Sequence, residues 1–156
     1  MKESVLRNFQ YNAWANEAAC ASIETLALGA PHRERALKLL GHVLAAGALW
    51  RSRILGEDVR GRDVWPVLTL EECRAYVAAE ACAWLNYLAG ISDADIERPI
   101  EYSNIKGDPF KNQLADILQH AANHGTYHRG QIALLVREAD GKPAVTDFIA
   151  FARLNP

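Results

Sequence analysis

Leu114–Ala139, LADILQHAANHGTYHRGQIALLVREA, decides how this chain is read. The stretch predicts one long helix carrying His120, His124 and His128, three of the five histidines, at steps of four residues. On an α-helix such a step drifts by only about 40°, so the three rings leave on roughly one side. With Ile117 set at zero, Ala121 falls at about +40°, His124 at about −20°, His128 at about +20°, Gln131 at about −40°, Ile132 at about +60° and Leu135 at about 0°. His124 and His128 therefore sit in the middle of the apolar stripe, and His120 lies on its margin at about −60°. A buried polar group left without a partner costs about 1–3 kcal/mol. Two imidazoles one turn apart on a core face need a shared partner, and a metal ion supplies one.

Working outward, the segment before this helix, 92–111, contains Arg98-Pro99-Ile100-Glu101-Tyr102 and the turn-forming Gly107-Asp108-Pro109. It predicts a short extended excursion, in the form of a hairpin. Further upstream, Thr69 with Glu72 three residues on forms a capping box, which opens a helix running to about Ala89. Glu57–Val67, with Gly61 and Pro66, reads as a loop. Before it, Arg33–Gly56 predicts a helix with a broad apolar face that includes Leu37, Leu40, Val43, Leu44 and Trp50. The first helix spans Ser4–Leu26, with Phe9, Ala13, Asn16, Ala19 and Ile23 at helical spacing. After Gly141 and Pro143 the tail 145–154 predicts a short helix capped by Thr146. The fold expected is all-α: one domain over 1–156, a four-helix bundle with the excursion placed before the fourth helix.

The bulk composition narrows the function. The chain has 156 residues, enough for one real core, with 23% charged residues and a net charge of −2. No basic cluster supports nucleic-acid binding, and no apolar run approaches the roughly 20 residues that span a bilayer. Cys20, Cys73 and Cys82 are odd in number and scattered, which fits a reduced, cytoplasmic setting with inert thiols and no disulfide framework.

His42 adds a third imidazole from the second helix, flanked by aliphatic residues. Three imidazoles from two helices leave coordination positions open, as catalytic metal sites do. Glu directly after the first histidine, which a metalloprotease requires, is replaced by Gly125. The Glu-x-x-His motif of di-iron bundles is missing from the sequence. Asn123, Tyr127, Gln131 and His120 are candidates for the surroundings of the metal, with His120 also considered as a ligand. His32, beside Pro31, reads as a solvent-exposed loop residue. Trp14, Trp50, Trp65 and Trp84 read as packing residues, and Arg129 as pointing to another face.

Tyr11-Asn12-x-Trp14-Ala15-Asn16, Gly41-His42, and the run from His120 through Asn123-His124, Tyr127-His128-Arg129-Gly130-Gln131 to Ile132 resemble the DinB family of the DinB/YfiT-like superfamily. The ending Thr146-Asp147-Phe148-Ile149-x-Phe151 is similar too. The resemblance implies a long crossover between helices two and three, and a divalent ion, zinc or nickel, on His42, His124 and His128. It implies homodimers, links to stress responses, and thiol-dependent transfer onto a small electrophilic substrate, with a low-molecular-weight thiol as cofactor. Two alternatives stand beside it: a hydrolase acting through metal-bound water, and a non-enzymatic metal-binding stress-response protein. The sequence names no catalytic residue beyond the metal site.

Overall fold

The computed structural model describes residues 1–155. In chain order the elements are α1 (Lys2–Glu24), α2 (Pro31–Ile54), α3 (Leu70–Gly90), α4 (Asp93–Ile96), β1 (Pro99–Ser103), β2 (Pro109–Gln113), α5 (Leu114–Glu138) and α6 (Phe148–Leu154). The protein is thus mostly helical, with one two-stranded antiparallel ribbon that pairs Pro99 with Gln113 and Ser103 with Pro109. The four long helices bury a common core. α5 packs chiefly on α2, α1 chiefly on α3, and the pairs α1–α5 and α2–α3 complete the contacts.

Local chemistry explains the boundaries. Thr69 and Glu72 make the capping box in both directions: the Thr69 hydroxyl accepts from the Glu72 amide at 3.2 Å, and the Glu72 carboxylate accepts from the Thr69 amide at 2.7 Å. Ser92 and Asp95 repeat the device and start α4, a single turn that the sequence reading merged into the extended excursion. α2 begins at Pro31, two residues earlier than expected, because a proline at the first helical position gives up no hydrogen bond. His32 is therefore not a loop residue: it lies in the first turn of α2, its Nε2 3.7 Å from a Glu138 carboxylate oxygen. The cap of α6 is Asp147, without a side-chain bond, and not Thr146. Thr146 serves through its carbonyl, which accepts the Tyr11 hydroxyl at 2.7 Å.

One core cluster joins α1, α2, α3 and α5 through Ile23, Leu40, Leu44, Cys73, Ile132 and Val136. A second, built from Phe9, Ile54, Trp84, Leu88, Ile100 and Leu118, extends under the ribbon. Each such side chain contributes about 1.5–3 kcal/mol on burial.

The buried face of α5 is rotated from the stripe read in the sequence. Leu114, Ile117, Leu118, Ala122, Gly125, Arg129, Ile132, Leu135 and Val136 are buried, which centres the core about 70° round from Ile117. His124 and His128 are only half-buried and line one edge of that face, and His120 is exposed. Alanine and glycine carry little hydrophobic signal and arginine carries the opposite one, so the true centre is muted in sequence. Arg129, expected on another face, is in fact 2% exposed. Its Nη1 donates to Asn16 Oδ1 at 2.9 Å and its Nη2 to Thr126 Oγ1 at 3.0 Å. The guanidinium also stands 5.2 Å from the centroid of the Tyr11 ring. Gly125 makes room for this group: a Cβ there would meet Arg129 Nη1 at 2.7 Å and Asn12 Oδ1 at 2.9 Å. Asn12 and Asn16 thus serve this α1–α5 seam. Replacing Asn16 by Ala leaves a buried guanidinium N–H unmet and should cost about 1–3 kcal/mol, read as a lower urea midpoint with metal content unchanged.

Candidate metal centre

His42 projects from the middle of α2, and its neighbour explains its surroundings. A Cβ on Gly41 would approach the Pro66 carbonyl oxygen to 3.0 Å, so glycine lets residues 64–68 run close along α2. Two contacts follow. The Val64 carbonyl accepts from His42 Nδ1 at 2.7 Å. The Trp65 indole lies flat on the imidazole, with ring centroids 3.7 Å apart and planes 5° from parallel. The Asp63 carboxylate holds the turn by accepting from the Trp65 amide at 2.8 Å.

α5 brings the other two rings. His124 and His128 have centroids 4.5 Å apart, and these stand 5.0 and 4.8 Å from that of His42. One ligating atom from each of the three lies within 4.8 Å of the others, so the group can hold a metal ion. Two nitrogen–metal bonds of about 2.0–2.1 Å span at most about 4.2 Å, so the widest pair closes by a small ring rotation. The donor set suits an ion electronically as well. His42 Nδ1 donates to Val64, and His128 Nδ1 donates to Gln131 Oε1 at 2.7 Å. Both bonds put the proton on Nδ1 and leave the Nε2 lone pair free to ligate, the arrangement that outer partners give to metal-bound histidines. Burial, followed by the neighbouring imidazoles of His128, His42 and His120, pushes the His124 pKa down from 6.5 to about 4. Burial likewise lowers that of His42, against the opposing pull of its bond to Val64. Both rings are therefore neutral at pH 7, as a ligand must be.

The remaining candidates separate. Gln131 orients His128. Tyr127 packs its ring edge against His128 at 5.0 Å but is otherwise exposed. His120 is outside the three-donor group: its ring lies 5.7 Å from that of His124 and 4.9 Å from that of Trp50. Asn123 faces away, accepting from Gln119 Nε2 at 3.0 Å on the outer side of α5, so it has no place around the three imidazoles. Trp65, read as packing, is the wall of the site, 42% exposed. Its signal in the sequence was a tryptophan stranded in a polar loop, and that loop's nearness to Gly41 was not readable. Cys20 and Cys73 behave as expected for structural cysteines, with burial raising Cys20 to about 11 and Cys73 to about 12, whereas Cys82 is exposed on α3.

The arrangement defines a class: a helical protein that gathers three imidazoles from two neighbouring helices at one edge of its core. The comparisons agree on which. The DinB family profile matches residues 1–155, and the chain belongs to the DinB family. Protein DinB of Bacillus subtilis (strain 168) is 22% identical over 162 residues, covering 95% of this chain and 93% of its own. A crystal structure of a DinB-like protein from Bacillus cereus ATCC 10987 superposes with a TM-score of 0.61 at 18% identity, covering 92% of this chain and 95% of that one, which shows the shared fold.

The depressed pKa of His124 has a consequence for the metal-free protein. A histidine held below its unfolded value binds fewer protons in the folded state, so stability is full above about pH 6.5 and is lost as pH falls towards about 4. Urea midpoints of metal-free protein across that window should fall more steeply than those of His124→Phe, and parallel curves would remove His124 as the cause.

Proposed function

We propose that His42, His124 and His128 hold one divalent ion, zinc or nickel, and that the protein is a metal-dependent enzyme. The observation that carries this reading is the pair of pinned Nδ1 atoms. Val64 and Gln131 fix two rings with their Nε2 atoms free, beside a third ring already kept neutral. A divalent ion there supplies Lewis acidity, lowering the pKa of a thiol or water brought to it.

The chain's own residues then bind and orient. Gln131 and Val64 hold the rings, Trp65 shields one face of His42, and the open side admits the reactants. We take thiol-dependent transfer to a small electrophile as the reaction, with a low-molecular-weight thiol as cofactor. A thiol once deprotonated attacks without help from a general base, and the flanking surface is aromatic and cationic around Trp65 and Lys38. Hydrolysis is the second reading, and His120 supports it: this ring, next to His124 and without a hydrogen-bond partner among the described residues, is placed to take a proton. A non-enzymatic metal-binding role in a stress response is the third. The same reading takes residues 55–69, the connection that carries Val64 and Trp65, as the long crossover between α2 and α3. It also takes the protein as a homodimer, for which the exposed Val145, Phe148 and Ile149 offer apolar surface. No helix among the described residues is long and apolar enough to cross a membrane.

Elemental analysis should find about one ion per chain, lost in His42→Ala, His124→Ala and His128→Ala and kept in His120→Ala. A metal-free wild type of equal stability would sink the reading. Gln131→Leu should keep the fold and weaken metal affinity about 10–100-fold, measured by competition with a chromophoric chelator. Turnover of electrophiles by loaded protein only when thiol is present identifies the transferase, and turnover in water alone identifies the hydrolase.

A further inference from the structure

A groove of about 580 Å³ opens beside the three histidines, lined by Arg35, Lys38, Leu39, Trp65, Leu134 and Glu138, among others. Its volume is within the range of small-molecule sites. Its inner wall is made by the residues that hold the imidazoles: Trp65 stacks on His42, and Gln131, also in the lining, binds His128. The groove thus adjoins the candidate metal centre through Trp65 and Gln131.

Its charges are uneven. Arg35 and Lys38 are exposed and stand one turn apart on α2, with Lys38 one turn before His42. Among the described residues neither forms an ion pair. Lys38 Nζ instead lies 5.9 Å from the centroid of the Trp65 ring, which holds the ammonium at the mouth of the site. Glu138, the one carboxylate in the lining, stands 3.7 Å from His32 Nε2. Apolar surface comes from Leu39, Leu134 and the indole, and Leu134 is half exposed. The cleft beyond His120, on the other side of the histidines, carries the opposite charge through Asp116 and is otherwise aromatic and amide-lined.

We infer that this groove is the substrate-binding subsite, and that it takes a small organic anion with its carboxylate on Lys38 and Arg35 and its apolar body against Trp65 and Leu134. Its role in the reaction rests on the reading of the three histidines as the reactive centre; anion binding itself does not. The bound anion would then present its uncharged end towards the imidazoles, away from the two cations. An anion is selected over its neutral counterpart by the paired charges, whose attraction the indole and leucines strengthen by lowering the dielectric on one side.

The test titrates the full-length protein, metal-free and zinc-loaded, with phenylacetate and with phenylacetamide, following amide chemical shifts by NMR. The acid should bind about tenfold more tightly than the amide, the combined effect of two exposed ion pairs, already without zinc, with shifts at Trp65 and Leu134. Arg35→Gln combined with Lys38→Gln should erase the preference and keep amide binding, whereas Lys106→Gln in the ribbon loop should leave it intact. Both cations are on the surface, so the double variant should fold, which its spectrum reports. Equal affinities, or a preference that survives the double variant, overturn the proposal. A preference seen only with zinc also overturns it, since the carboxylate is then a metal ligand, and leaves the metal reading standing. A preference seen in protein that takes up no zinc supports the groove and removes the metal reading.

Discussion

The hydrogen bond from His42 Nδ1 to the Val64 carbonyl is the contact on which the site depends. With the Trp65 stack, it fastens the centre of α2 to the connection between α2 and α3. It also selects a tautomer, since a carbonyl can only accept, and the selected tautomer leaves Nε2 free. Gly41 makes the approach sterically open, Asp63 shapes the turn, and Trp65 closes over the ring it serves. One glycine thereby governs both the chemistry of the imidazole and the wall of the neighbouring groove.

α5 is asked to do two things on adjacent faces. Its deeply buried face is small and, at one point, cationic: Gly125 and Ala122 let α1 come close, and Arg129 is enclosed among Asn16, Thr126 and Tyr11. The histidines occupy the margin of that face, dry enough to hold His124 near pKa 4 and open enough to admit an ion and its ligands. A histidine at the centre of the core would have no path to solvent, and one further out along the margin, as His120 shows, stays outside the three-donor group.

Much of this was legible in the sequence, for identifiable reasons. Helical periodicity is a strong signal over twenty or more residues, so the long helices and the Thr69–Glu72 cap could be read directly, and the turn residues around Gly107 marked the ribbon. The grouping of His42 with His124 and His128 followed from spacing and from the cost of lone imidazoles on apolar helices. What failed were features set by neighbours. The apolar wheel placed His124 and His128 at the centre of the buried stripe because alanine, glycine and arginine do not count as core on such a wheel. Arg129 was misplaced for the same reason. Asn123 sits one residue from His124, yet a single step of about 100° turns it to the far side of the helix. Trp65 was beyond reach, since a loop's path over a distant helix is not encoded in periodicity.

The buried arginine has one further consequence, of leverage. The imidazole tips of α5 stand roughly 7 Å from the helix axis, the backbone radius of about 2.3 Å plus the reach of the side chain. A roll of about 10° about that axis therefore carries a ring nitrogen through about 1 Å, enough to separate a working constellation from an idle one. Arg129 and Asn16 resist that roll from a point about a third of a turn away from the rings. The helix behaves as a crank whose bearing is a charged side chain set in the seam with α1, and the tolerance of the site is fixed there, in residues that never touch it.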